Sequence, residues 1–309
     1  MKTYYRIMLG KKSTYASECF AGNFIGTDFL EDIDLTGKLP ENWRDFNHSF
    51  IPIYLKEHPE KSKVTAGLAC GALHTITKGL IKGDIVLCPN GAGSYMVGEI
   101  MDNYAYHPGE ILPHRRTVSW FDKLIDRSAM SETLKSSAGS SGTISNLTKY
   151  ATEINAFLLG QMSATVLKDE SIEDLSVFVL EKYLEEFLVS NWPSTVLGKT
   201  YDIYMEDGEK VGQQYPSDTG PIDILAISKD KKELLVVELK KGRASDNVVG
   251  QIQRYMGYVK DELAESGQQV KGVIIALEND LKIRRALSVT TNIEFFRYER
   301  GCKINCVKV

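Results

Sequence analysis

Nothing in this chain of 309 residues reaches the ~18–20 consecutive apolar residues that cross a bilayer, so no membrane-spanning helix is expected. The opening MKTYYRIMLGKKSTY lacks the apolar stretch of a signal peptide. Cysteine is sparse: Cys19, Cys70, Cys88, Cys302 and Cys306 are odd in number and scattered. They make no disulfide framework and read as free thiols of a reducing cytoplasm. Cys302 and Cys306 are close in sequence, but no third and fourth ligand sits nearby, which argues against a zinc site. An excess of one charge is missing too. The net charge of −4 argues against a polycation that coats nucleic acid, so any such surface must be a local patch. There is no internal repeat, and 43% hydrophobic content is enough to bury a real core, which excludes a mainly disordered chain.

What is present divides into two parts. The length favours two domains. A Gly/Ser-rich stretch, SSAGSSGT over 136–143, cannot carry a hydrophobic face, and a second polar break, LKDESIED, falls at 167–174. The boundaries expected are an N-terminal domain over 1–130, a linker and connecting helix over 131–170, and a C-terminal domain over 171–309. The 136–143 loop reads as a linker or as a phosphate nest.

Short apolar runs broken by turn residues make the N-terminal part mostly β. Pro89-Asn90-Gly91-Ala92-Gly93 between two apolar runs predicts a hairpin. KVTAGLACGALHTITKGL reads as a helix. The C-terminal part reads as α/β. A long amphipathic helix, SIEDLSVFVLEKYLEEFLVSNW, carries the stripe Leu180, Leu184, Phe187 and Leu188. Two strands follow, IDILAIS and LLVVELK, then a helix from Ser245-Asp246. VKGVIIAL reads as a buried strand, and IEFFRYE and KINCVKV as two more.

The strongest chemical signal lies in GPIDILAISKDKKELLVVELKKG. Asp223 begins one strand; Glu238 and Lys240, two apart, point to one face of the next. The tight turn between the strands makes them antiparallel neighbours, so Asp223 can stand beside Glu238. Two converging carboxylates suit a hard cation such as Mg²⁺. Acids near strand ends are common, and the tripeptide Glu-Leu-Lys alone means little. Charges at the end of an apolar strand, however, are costly to bury without a partner or a metal.

Asp223 with Glu238-Leu239-Lys240 resembles the PD-(D/E)XK nuclease superfamily, with Ile222 in the place of the motif's proline. The next helix adds Gln251 and Tyr255, whose Q-x-x-x-Y spacing resembles the RecB-like and Holliday-junction-resolvase-like branch. LEKYLEEFL, QYPSDTGPIDILAIS and VVELKKGRASDNVVGQIQRYMGYV together look like a NucS-type C-terminal domain. The resemblance implies a restriction-endonuclease-like fold, a mixed central sheet flanked by helices. It implies Asp223 and Glu238 as metal ligands, Lys240 at the attacking water, and Gln251 and Tyr255 beside the site. It also implies a helix glutamate turned toward the metal, for which Glu181 and Glu185 are candidates; both could equally be solvated helix charges. Lys241, Arg243 and Arg254 are candidate phosphate contacts, with plain surface charge as the alternative.

KGDIVLCPNGAGSYMVGEIMDNYAYHPGEILPHRRTVSWF is similar to PUA-like modules of the EVE kind. That resemblance implies a mostly β module holding a modified base or a small nucleotide ligand in an aromatic-walled pocket. Candidates are Asn23, Phe24, Trp43, Tyr95 and Trp120; each aromatic could instead be core. Arg115 and Arg116 are candidate DNA contacts, or they cap the domain surface. The expectation that follows is a Mg²⁺-dependent DNA endonuclease, with Mn²⁺ able to substitute. It would be cytoplasmic, a homodimer, and modification-dependent in restriction or phage defence. The alternatives are a structure-specific repair nuclease for mismatched or branched DNA, a nucleotide-activated nuclease, or a catalytically inactive DNA-binding regulator.

Overall fold

The computed structural model describes residues 2–140, 142–159, 184–206, 208–298 and 304–306. The chain divides into two compact units, Met1–Lys61 with Ala66–Asp169, and Ser62–Thr65 with Glu170–Val309. No helix among the described residues is long and apolar enough to cross a membrane.

The first unit runs β1 (Tyr4–Ile7), α1 (Ala16–Gly22), β2 (Phe24–Thr27), α2 (Trp43–Glu57), α3 (Lys63–His74, from Ala66 on), β3 (Ile85–Pro89), β4 (Ser94–Ile100), β5 (Ala105–Tyr106), β6 (His114–Asp126), α4 (Glu132–Ala138), β7 (Ile144–Asn146) and α5 (Ala151–Leu158). Its sheet has the order β2-β6-β4-β3-β1-β7, with β5 on β6. The expected hairpin is β3–β4, paired from Ile85↔Glu99 to Pro89↔Tyr95. Its turn closes because Asn90 Oδ1 accepts from the backbone N–H groups of Ala92 and Ser94, at 2.8 and 3.1 Å. Gly91 and Gly93 supply the positive φ angles that this turn demands. Helix α1 lies between β1 and β2 of this unit, which the short apolar runs make mostly β. It ends where Asn23 enters the left-handed region at φ 55°.

Residues 131–158, expected to lie between the domains, instead complete this fold. Strand β7 pairs antiparallel with β1, Tyr5 opposite Asn146 and Ile7 opposite Ile144. The organiser is Arg6, wholly buried. Its guanidinium donates to the carbonyls of Ser140, Gly142 and Thr143 and to the hydroxyls of Ser140 and Ser145. A phosphate nest presents N–H groups to an anion. The described residues of this loop turn carbonyl oxygens onto a cation instead.

The second unit runs α6 (184–190), β8 (Tyr201–Ile203), β9 (Gln213–Tyr215), β10 (Ile222–Ser228), β11 (Glu233–Ala244), α7 (Asn247–Tyr258), β12 (Gln269–Asn279), α8 (Leu281–Leu287), β13 (Ile293–Tyr298) and β14 (Ile304–Cys306). The strand order is β14-β13-β12-β11-β10-β8, with β9 on β10. The expected antiparallel hairpin is β10–β11, and β11, β12 and β13 run parallel. Leu234 to Val237 and Val273 to Ala276 are buried without a break, as central parallel strands covered on both faces require. The core joins Leu188 and Trp192 to Ile224, Val237, Ile275 and Phe296. Of the expected long helix, the stretch before 184 lies outside the described residues.

Two stability predictions follow from packing. At Gly212 a Cβ would sit 2.1 Å from the Leu225 carbonyl oxygen, backbone against backbone, whereas at Gly257 in α7 it meets nothing. Gly212→Ala is expected to cost about 1–3 kcal/mol in urea unfolding. Gly257→Ala should be neutral or stabilise by about 0.5–1 kcal/mol through helix propensity. In the first unit the His74 ring packs against Trp43 and Phe46, and burial, assisted by Lys78, lowers its pKa from 6.5 to about 4. The neutral ring therefore favours the fold above pH 6.5, and that contribution is lost as pH falls toward 4. Thermal melts from pH 7 to 4 should show this acid-side loss, and His74→Leu should remove it.

Candidate active site

The β10–β11 register builds the site. Ile224 pairs with Val237, so one step further Asp223 lies across from Glu238. Directly opposed residues of an antiparallel pair present their side chains to one face. Lys240, two residues beyond Glu238, joins that face and places Nζ 2.9 Å from Glu238 Oε1. Glu238 is only 2% exposed and Lys240 is half-open. A carboxylate so deep needs a cationic neighbour, since its lost hydration is otherwise uncompensated. Asp223 turns back on the partner strand, where Oδ2 accepts from the Leu239 N–H at 2.8 Å. This bond fixes the carboxylate at the end of the ladder.

Glu185 arrives from α6. Its Oε1 accepts from Gln213 Nε2 and its Oε2 from Gln214 Nε2, both at 2.7 Å. The same Gln214 nitrogen donates to Asp223 Oδ1 at 3.1 Å. Helix glutamate, strand aspartate and the Glu238–Lys240 pair thus form one polar end of an otherwise apolar sheet. On α7, Gln251 Nε2 donates to the Tyr255 hydroxyl at 3.3 Å. Burial raises the Tyr255 pKa, the Gln251 bond opposes the rise, and the charges of Glu238 and Asp223 add to it while Lys240 offsets them. The phenol therefore stays protonated at neutral pH and feels the same three charges.

Six residues singled out in the sequence, Glu185, Asp223, Glu238, Lys240, Gln251 and Tyr255, are thus gathered. Glu181 lies outside the described residues, as do the side chains of Lys241 and Arg243. Arg254 is exposed on α7. Gln213 and Gln214 were not anticipated. The one signal for them was a pair of long amides just before the strand that carries Asp223.

The arginines expected to meet DNA do other work. Arg115 is buried, paired with Glu110 at 2.6 Å, bonded to the Leu112 carbonyl at 3.1 Å, and stacked 3.8 Å over the Phe24 ring. Arg116 is buried as well and donates to the carbonyls of Asp102, Ile76 and Leu80. Both are interior props that satisfy backbone oxygens, so the expectation of surface phosphate contacts is corrected. Nor do the five pocket candidates converge. Asn23 and Phe24 adjoin β6, where Trp120 packs edge-on to Phe20 at 5.1 Å. Trp43 lies on α2 against His74, 5.4 Å between centroids. Tyr95 is buried near the far end of β6, opposite Ile125, with its hydroxyl 2.9 Å from Arg127.

Among the described residues, no three acids, histidines or cysteines close on one point as they stand. The fit to a divalent cation lies in donor chemistry. Asp223, Glu238 and Glu185 offer hard carboxylate oxygens, the class that magnesium and manganese take. Three such acids at one sheet end carry more negative charge than Lys240 alone balances.

Comparisons with known proteins divide at the same boundary. Residues 194–307 match the endonuclease NucS C-terminal domain, and residues 5–148 match a domain of unknown function, DUF8426. Endonuclease NucS of Methanocaldococcus jannaschii is 30% identical over 96 residues, 31% of this chain and 35% of that protein. Endonuclease NucS of Pyrococcus abyssi is 30% identical over 115 residues, 36% of this chain and 44% of that protein. The matches therefore span less than half the length of these relatives. Among solved structures, an EndoMS–dsDNA complex aligns with TM-score 0.33 and 13% identity, covering 68% of this chain and 62% of that one. A repair endonuclease from Pyrococcus abyssi aligns with TM-score 0.31 and 16% identity, covering 68% and 66%.

The ion pair can be tested for its own sake. Lys240→Ala leaves Glu238 buried without that ammonium and is expected to lower stability by about 1–3 kcal/mol. Glu238→Gln with Lys240→Met should recover most of the loss. A double-mutant cycle in urea measures the difference.

Proposed function

We propose that this chain, whose residues 194–307 form a NucS-type C-terminal domain of the PD-(D/E)XK nuclease superfamily, is a metal-dependent DNA endonuclease of the structure-specific kind. The observation that carries the reading is the opposition of Asp223 to Glu238, with Lys240 Nζ 2.9 Å from the glutamate. That combination of groups suits phosphodiester hydrolysis. The matched relatives carry the name endonuclease NucS, which supports the repair-nuclease reading better than modification-dependent restriction or phage defence. Among the described residues of the first unit, the five candidates for a base pocket do not come together at one point.

In this reading Asp223 and Glu238 would hold a Mg²⁺ or Mn²⁺ ion, with Glu185 beside them. The cation would supply charge neutralisation of the phosphate and a lowered pKa for a bound water. Lys240, beside Glu238, would orient the attacking water or meet the negative charge that develops on the phosphate. Tyr255 keeps its proton and can donate to a phosphate oxygen, with Gln251 fixing the phenol's direction. The Leu239 N–H would hold the Asp223 carboxylate at the end of the ladder in this role. One chain brings one such site, so cutting both strands calls for two copies, and a homodimer is part of this proposal.

Cleavage assays on plain, mismatched, branched, methylated and hydroxymethylated duplexes, with Mg²⁺ and Mn²⁺ titrated, test the reading. Mismatched or branched substrates should be cut preferentially. Asp223→Asn and Lys240→Ala should each reduce cutting by at least about 100-fold, with circular dichroism unchanged. Retained cleavage in the double variant, or no cleavage of any duplex by the wild-type chain with either metal, would refute it.

A further inference from the structure

Gln214 lies in β9 but has φ +51°, a left-handed conformation that a residue with a Cβ rarely adopts. Strain of this sort persists where surrounding contacts hold it, and it gathers at functional sites. The contacts here are specific. The pairings Ile222↔Tyr215 and Ile224↔Gln213 set Gln214 across from Asp223, just as Ile224↔Val237 sets Asp223 across from Glu238. Gln214, Asp223 and Glu238 therefore stand in one row over three strands. The Gln214 amide nitrogen donates twice, to Glu185 Oε2 at 2.7 Å and to Asp223 Oδ1 at 3.1 Å. An NH₂ group has two protons, and both are used between two carboxylates. With Gln213 on Glu185 Oε1 and the Leu239 N–H on Asp223 Oδ2, each oxygen of both acids accepts a hydrogen bond.

We propose that Gln214 is a positioning residue of the nuclease site, whose amide clamps the helix acid Glu185 to the strand acid Asp223 as a paired oxygen donor set for a divalent cation. The proposal rests on the nuclease reading of the same site. An amide suits the place for an electrostatic reason. Two carboxylates near each other repel and would drift apart. A neutral double donor bonded to both holds them in place. It adds no positive charge that would compete with the cation. Glutamate has the same shape but would turn donors into acceptors and add a third negative charge. Alanine would remove the amide that links Glu185 to Asp223 and leave the Gln213 bond to Glu185 Oε1 in place.

The test compares wild type, Gln214→Ala, Gln214→Glu and Asp223→Asn in the full-length protein, without DNA. Mn²⁺ affinity is measured by calorimetry and Tm with and without Mn²⁺; DNA cleavage is then followed against Mn²⁺ concentration. Gln214→Ala should weaken Mn²⁺ binding at least tenfold and raise the half-saturating Mn²⁺ for cleavage by a similar factor, with the saturated rate within about threefold of wild type. Gln214→Glu should melt below wild type in the absence of metal and regain that difference when Mn²⁺ is added, since the cation offsets the third carboxylate. An alanine variant with a lowered Tm but wild-type Mn²⁺ affinity would mean a merely structural glutamine and would overturn the clamp. If the alanine variant does not fold, a glutamate variant whose metal-free Tm equals that of wild type overturns it as well. Asp223→Asn separates the two levels. If it binds Mn²⁺ and cuts DNA like wild type, the nuclease reading itself falls. If it loses both while Gln214→Ala changes neither, only the clamp falls.

Discussion

The register of one antiparallel strand pair governs the second unit's chemistry. With Ile224 opposite Val237, Asp223 must face Glu238, and the period of two along β11 brings Lys240 to the same side. A slip of one residue would send Glu238 and Lys240 into the opposite face and leave an apolar residue against Asp223. That register is strongly determined, because Leu234 to Val237 are buried on both faces and any slip would bring charge into the core. The hydrophobic requirement of the sheet therefore positions its polar end.

A buried acid at that end sets further demands. Glu238 is nearly inaccessible and needs the ammonium of Lys240. Asp223 and Glu185 share the Gln214 amide, which keeps two like charges in place without neutralising either. Tyr255 reports the same field, since its phenol is shifted by all three charged neighbours as well as by burial. Glu185, Gln213, Gln214 and Asp223 share one chain of hydrogen bonds, and the Glu238–Lys240 pair stands on the same face of the sheet beside it.

Charged residues in the first unit obey a different logic. Arg6, Arg115 and Arg116 point inward and donate to backbone carbonyl oxygens far from their own strands or in neighbouring turns. Arg6 holds Ser140, Gly142 and Thr143 in this way and bonds the Ser145 hydroxyl of β7, the edge strand beside β1. Buried guanidiniums suit that task because one planar fork can satisfy several carbonyls at once.

Much of this was legible in linear form. Apolar runs with period two, turn residues at Asn90-Gly91 and at 229–232, and the Asp…Glu-x-Lys spacing depend on local chemistry, so the strands, the two hairpins and the core of the site could be read directly. The Gln251–Tyr255 spacing likewise needs only a helix to share a face. Long-range satisfaction of polar groups cannot be read that way. A sequence does not tell whether His114-Arg115-Arg116 meets solvent phosphates or buried carbonyls, because the deciding oxygens belong to distant loops. Gly/Ser composition does not tell a linker from a loop caged around an arginine 134 residues earlier. Local propensity gives no warning that Gln214 adopts a left-handed backbone, since the helix acid and strand acid that hold it there meet only in the folded chain. Element type and in-strand facing follow from neighbouring residues, whereas the partner of each buried charge is decided by tertiary structure, where the cost of an unmatched charge is incurred.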